Sequence, residues 1–206
     1  MRLVLASASP GRLGVLRAAG VDPVVRVSDV DEAAIMAAHP DASPAELVTT
    51  LAEAKARAVL GGVATEFGDA VVVGCDSMLH AGGELIGKPG TAEAATARWR
   101  QLAGGTGELL TGHAVLRLDG GEPQRVATGT QRTRIRFGSP SPAELDAYIA
   151  SGEPLRVAGG FTLLGLGGWF VEGVDGDPSS VIGISLPLTR QLLAEVGASV
   201  TVLWQR

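Results

Sequence analysis

Two periods of apolar and polar residues alternate along this chain, and each change of period marks an element boundary. Leu3 to Ala6 is a short apolar run. Ser-Ala-Ser-Pro follows, then Leu13, Leu16 and Ala19 at helical spacing, which predicts strand, loop and helix in turn. Ser9 suits the N-cap of that helix and Pro10 its first position, where a missing N–H costs no hydrogen bond. Ser43-Pro44-Ala45-Glu46 and Ser141-Pro142-Ala143-Glu144 share one signature, a capping box with Pro at the first helical position, and predict two further helix starts. Between them, the apolar run Ala70 to Gly74 predicts a buried strand. Gly82-Gly83 turns into a second strand at Glu84 to Ile86, and a helix is expected over 92–102. Leu109 to Leu118 and Val126 to Phe137 read as strands. In the latter, Arg132, Arg134 and Arg136 alternate with Thr133, Ile135 and Phe137, the pattern of a sheet with one face in water. After the helix at Ser141 to Ala150 come a Gly-rich tract from Gly159 to Gly176, a last helix near Leu188 to Val196 and a closing strand, Val200 to Leu203. This interleaving, without strict βαβ order, predicts an α/β fold with a mixed, twisted sheet and flanking helices, in a single domain over 1–206.

Composition narrows the function. With 206 residues, 46% of them hydrophobic, the chain can bury a substantial core. A formal net charge of -5 argues against a protein that coats nucleic acid, which needs clustered cations, yet a few local positive groups suffice for a small anion. No apolar run approaches the roughly 18 residues that cross a bilayer, and Met1 to Ala8 is too short for a secretory signal. A cytoplasmic protein with no membrane partner is expected. Cys75 is the one cysteine, which excludes an intrachain disulfide framework or a Cys-rich zinc site. Of the 17 basic residues only Lys55 and Lys88 are lysines. In a chain that otherwise uses Arg, a retained ammonium suits contact with one phosphate oxygen, where guanidinium is a fork for two. The alternative is two lysines on solvated surfaces, Lys55 on the helix begun at Ser43.

Three groups carry candidate chemistry. Ser7, Ser9 and Arg12 lie where a strand hands over to a helix, so hydroxyls, backbone N–H groups and a guanidinium can converge on an anion. The same serines also read as ordinary caps. No Walker loop is present. Asp76 follows the run Val71 to Cys75, which places a carboxylate at a strand end, either to hold a divalent metal or take a proton from water, or to close an Asx turn. Lys88 sits in Gly87-Lys88-Pro89 at the exit of the following hairpin. Gly165-Leu166-Gly167-Gly168 opens no helix and reads as turns, and Asp175 and Asp177 read as a Gly-Asp-Pro loop. His39, His80 and His113 lack ligand spacing and read as structural.

These segments together resemble the Maf family of nucleoside triphosphate pyrophosphatases, whose fold is related to that of inosine triphosphatases and has a central cleft. The resemblance rests on Leu5 to Arg12 against the family's LASxSPxR, and on Leu51 to Ala58 around its lysine. It continues through Gly74-Cys75-Asp76-Ser77, Gly87-Lys88-Pro89 and Thr111-Gly112. Tyr148 to Pro154, Ala158-Gly159 and Leu186-Pro187-Leu188 complete the order. It implies that Ser7, Ser9, Arg12, Lys55 and Lys88 hold the triphosphate, that Asp76 is the general base, and that Asp76 and Glu32 bind a divalent metal, Mg or Mn. It also implies a homodimer. Such a substrate carries about four negative charges, which a few cations and a metal can neutralise while the α-phosphorus stays open to water. Departures from the pyrimidine-specific pattern fall at base-reading positions: Gly11 replaces Arg, Ser77 replaces Thr and Leu164 replaces Gln. A preference for dTTP or UTP is therefore not expected. A catalytically weak nucleotide-binding regulator linked to cell division is the alternative function.

Overall fold

The structure, a computed structural model, describes residues 1–205. In chain order the first elements are β1 (Arg2–Leu5), α1 (Pro10–Ala18), β2 (Val24–Val25), α2 (Glu32–Ala38), α3 (Pro44–Ala58), α4 (Leu60–Glu66), β3 (Asp69–Ala81) and β4 (Glu84–Ile86). There follow α5 (Ala92–Leu102), β5 (Thr106–Asp119), β6 (Glu122–Phe137), α6 (Pro142–Ala150), β7 (Val171–Asp175), α7 (Pro178–Ile182) and α8 (Leu186–Glu195). The strand order is β2-β1-β3-β5-β6-β7, with β4 paired to β3. β1 runs parallel to β2 and β3, whereas β4 and β7 run antiparallel to their partners, so the fold is α/β with a mixed sheet.

Two compact units divide the chain. One comprises Met1–Asp76, Thr111–Gln131 and the described residues from Gly183 on; the other comprises Ser77–Leu110 and Arg132–Ile182. β3, β5 and β6 each contribute one segment to each unit.

In the first unit, α3 buries Leu47, Val48, Leu51, Ala52, Lys55 and Ala56, a stripe at helical spacing. Its backbone lies directly on the sheet. A Cβ at Gly74 would collide with the Ala52 carbonyl, and one at Gly112 with that of Val48. The adjoining core is built from small and branched residues, among them Val4, Ala52, Ala56, Val72, Ala114 and Leu116. In the second unit the core surrounds Trp99, which is fully buried and meets Phe137, Tyr148 and Phe170 edge-to-face, each at 5.8 Å between ring centroids. Its Nε1–H donates to the Gly160 carbonyl at 2.8 Å, which satisfies the one polar group of the ring.

Both capping boxes form, α5 spans 92–102, and the arginines of β6 point outward while Thr133, Ile135 and Phe137 are buried. Three expectations change. Val200 to Leu203 is no strand: Ser199 Oγ accepts the Thr201 N–H at 3.3 Å and sets a 3-10 turn over Val200–Val202, with Val202 exposed. β3 runs on to Ala81, so Asp76 stands inside a strand and not at its end. The Gly-rich tract contains β7, whose Gly173 lies opposite Arg136 and under its guanidinium, where a Cβ would clash.

Candidate active site

Residues of the first unit converge at the end of β1. The register that pairs Leu5 with Val73 continues in a hydrogen bond from the Ala6 N–H to the Val73 carbonyl at 2.9 Å, which brings Ser7 alongside the approach to Asp76. Ser9 caps α1, its Oγ accepting the Arg12 N–H at 3.4 Å, so the cap reading of this serine is correct. The Ser7 hydroxyl, buried, accepts from the Ser9 N–H at 3.2 Å and from Arg12 Nη1 at 2.9 Å. Arg12 Nε donates to the Gly183 carbonyl at 2.8 Å. These two acceptors are neutral oxygens, and they help to fix the plane of the guanidinium.

Lys55 is no solvated surface charge. It is 8% exposed on the inner face of α3, and its Nζ stands 2.5 Å from Asp76 Oδ1 and 2.7 Å from Glu32 Oε1. Glu32 opens α2, whose N-cap Asp31 accepts the Ala34 N–H, and is itself half exposed. Lysine has three N–H donors, so these two carboxylates leave one. Asp76, at 6% exposure inside β3, makes no Asx turn; its Oδ2 is buried without a hydrogen-bond partner. Among the described residues no group of three His, Cys, Asp or Glu could hold an ion; Asp76 and Glu32 meet only through the Lys55 ammonium between them.

Cys75 reports on the same cluster. Burial pushes its thiol up to about 11; Arg12 and Lys55 pull it down and Asp76 pushes it up, so all three charges reach this one sulfur. At that value the thiol is protonated and inert near neutrality.

The other sequence-predicted residues divide between the two units. Gly11 lies in α1 of the first unit. Lys88 is exposed beyond β4 and Ser77 continues β3, both in the second unit. Leu164, also there, is 78% exposed on the segment between Phe161 and Leu166. Glu153 ties that segment down: its carboxylate accepts from Thr162 Oγ1 at 2.6 Å, from the Leu166 and Gly167 N–H groups at 3.0 Å each, and from the Tyr148 hydroxyl at 3.3 Å. Burial alone would raise the Glu153 pKa, but these donors outweigh it and hold the carboxyl below its ordinary range. Sequence reading placed Glu153 within the Tyr148 to Pro154 motif but missed its part in anchoring this segment. It also missed Gly183, which contributes only a backbone oxygen.

Among the described residues no helix is long and apolar enough to cross a membrane. The sequence matches the family described as Maf-like protein over residues 2–196. A nucleoside triphosphate pyrophosphatase of Saccharopolyspora erythraea is 68% identical over 205 residues, which cover 99% of this chain and 97% of that protein. Proteins of the same name from Nocardia farcinica and Mycolicibacterium gilvum are 62% identical over 204 residues and 56% identical over 207, covering 98% and 100% of this chain and 96% and 99% of theirs. Likeness of this degree over almost the full length, in a chain whose motif residues Ser7, Arg12, Lys55 and Asp76 lie in one compact unit, makes the chain a member of the Maf-like protein family.

Proposed function

We propose that the chain is a nucleoside triphosphate pyrophosphatase, a hydrolase that releases pyrophosphate and leaves the nucleoside monophosphate. The names of its full-length relatives support this activity, and one observation carries the site: Lys55 holds Asp76 and Glu32 together while the second Asp76 oxygen stays buried and unpartnered. Asp76 acts as general base, taking a proton from the water that attacks the α-phosphorus; such assistance is worth about 10² to 10⁴ in rate. Lys55 orients that carboxylate and offers its third N–H to a phosphate oxygen. Arg12, with Ser7 and Ser9, holds the phosphate tail, where charge develops on the leaving oxygens. Lys88 supplies further phosphate charge, as the family resemblance implies.

A hard divalent cation fits this donor set. Mg and Mn take oxygen ligands, and Mg in particular is commonly bound by one or two carboxylates plus substrate phosphates and waters, which a buried, unpartnered Asp76 oxygen and Glu32 would begin to supply. Bound there, the cation would polarise the phosphoryl oxygens and favour deprotonation of water. Gly11, Ser77 and Leu164 set base preference, and the lack of an amide at 164 favours a base not read through a hydrogen bond at that position.

The test is pyrophosphate release from a panel of canonical and modified nucleoside triphosphates, with added Mg or Mn and with a chelator. Cleavage of at least one of them between the α- and β-phosphates, abolished by chelation and by Asp76→Asn, is expected. Tight binding without release from any member of the panel would instead favour the regulator. Sedimentation of the purified protein tests the homodimer that the family resemblance implies.

A further inference from the structure

Buried His113 lies one bonded segment away from the guanidinium assigned to the phosphates. It is fully buried in β5, and its two ring nitrogens are both engaged by backbone groups. The Ser185 N–H can only donate, and it lies 2.8 Å from Nε2; the Thr111 carbonyl can only accept, and it lies 3.0 Å from Nδ1. The ring is therefore the neutral tautomer with its proton on Nδ1. Ser185 in turn caps α8, its Oγ accepting the Leu188 N–H at 3.1 Å. Two residues earlier, the Gly183 carbonyl receives Arg12 Nε at 2.8 Å, and Gly183 has φ +128°, a conformation that L side chains rarely adopt. A Cβ there would stand 3.1 Å from both Cγ and Nε of Arg12. Gly183, Ile184 and Ser185 are all buried, so the segment has little room to yield.

We infer that His113 is a positioning residue for Arg12, acting through the Gly183-Ile184-Ser185 segment. Its Nε2 fixes the Ser185 N–H, that fixes the path of the segment, and the Gly183 carbonyl then sets where the guanidinium points. The inference rests on the assignment of Arg12 to substrate phosphates made above. A misplaced positioning group can cost up to about 10²-fold in turnover even when it lies away from the reacting atoms.

A double-mutant cycle tests it, read as kcat/KM for pyrophosphate release from the best triphosphate of the panel, with thermal melting as the control for folding. His113→Ala is expected to lower kcat/KM by about 10- to 100-fold in the presence of Arg12 and by less than about 2-fold in an Arg12→Ala background. His113→Gln, whose Oε1 can accept the Ser185 N–H, is expected to recover most of the loss. Gly183→Ala should reproduce the defect, and combining it with His113→Ala should add little. If the losses from His113→Ala and Arg12→Ala multiply, or if His113→Gln is no better than His113→Ala, the inference is overturned while the phosphate role of Arg12 stands. If Arg12→Ala alone leaves kcat/KM unchanged, the assignment of Arg12 is itself wrong and the inference falls with it. Should His113→Ala fail to fold, the Gly183→Ala and His113→Gln arms decide.

Discussion

Gly74 and Ala52 approach so closely that the Ala52 carbonyl occupies the space a side chain at 74 would need. The same contact lets α3 lie flat on β3, which is why a lysine of that helix reaches a carboxylate two residues further along the strand. Gly74→Ala must push the helix away from backbone atoms, which have no rotamer to yield. A loss of about 1–3 kcal/mol or more is expected from urea denaturation, together with a fall in pyrophosphate release larger than the loss of folded protein explains. Wild-type activity in Gly74→Ala would show that the close approach does not set the site.

Asp76→Asn keeps the volume and removes the charge. Pyrophosphate release should fall by about 10² to 10⁴, and the melting temperature should fall as well, because buried Lys55 loses the charge it meets at Asp76 Oδ1 and keeps only the half-exposed Glu32. A variant with more than a tenth of wild-type kcat would exclude Asp76 as the general base.

Lys55→Ala leaves the buried Asp76 without its partner, and removal of one member of a buried pair costs about 3–5 kcal/mol. The Glu32 arm, half exposed, adds little through solvent screening. Lys55→Ala/Asp76→Ala should therefore be more stable than Lys55→Ala alone, as measured by chemical denaturation. Additive losses would mean that the pair is not coupled.

The parts of the fold that were legible are those whose cause is local. Ser43, Glu46, Ser141 and Glu144 carry their hydrogen-bond partners within three residues, so both helix starts could be read directly. Val200 to Leu203 misled because a short apolar run has the same composition whether a strand pairs with it or a neighbouring serine curls it into a turn. The extension of β3 past Asp76 was hidden, since Ser77 and His80 interrupt the apolar run. Site residues announced themselves by motif, but the Lys55–Glu32 pair joins positions in separate helices, and no periodicity reveals that. His113 reads as structural because it lacks ligand spacing; its Nδ1 bond to the Thr111 carbonyl is local, but its Nε2 bond depends on the chain returning to it 72 residues later, at Ser185.

Glu153 should make the second unit sensitive to acid. Its carboxyl is held below the ordinary range, so its stabilising contribution is complete above the unfolded-chain value and is lost as pH falls through the lower folded value. Denaturation followed from neutral pH down to about pH 3 should show a smaller acid-induced loss for Glu153→Gln than for wild type, against a lower baseline at neutrality. Parallel curves would sever Glu153 from the acid response.

Trp99→Ala would empty the centre of the aromatic cluster and is expected to cost about 3–5 kcal/mol. Near-ultraviolet circular dichroism should lose its fine structure in step with stability. A loss under about 1 kcal/mol would mean that Phe137, Tyr148 and Phe170 can collapse into the space.

The bond from Arg12 to Gly183 closes a loop of 171 positions. During synthesis the strand and capped helix that carry Ser7, Ser9 and Arg12 leave the ribosome well before the carbonyl that receives Arg12 Nε, which follows 171 positions later. A chain that stops before Gly183 lacks the acceptor for Arg12 Nε, so the bond that orients this guanidinium is a late acquisition relative to the strand and helix that carry it.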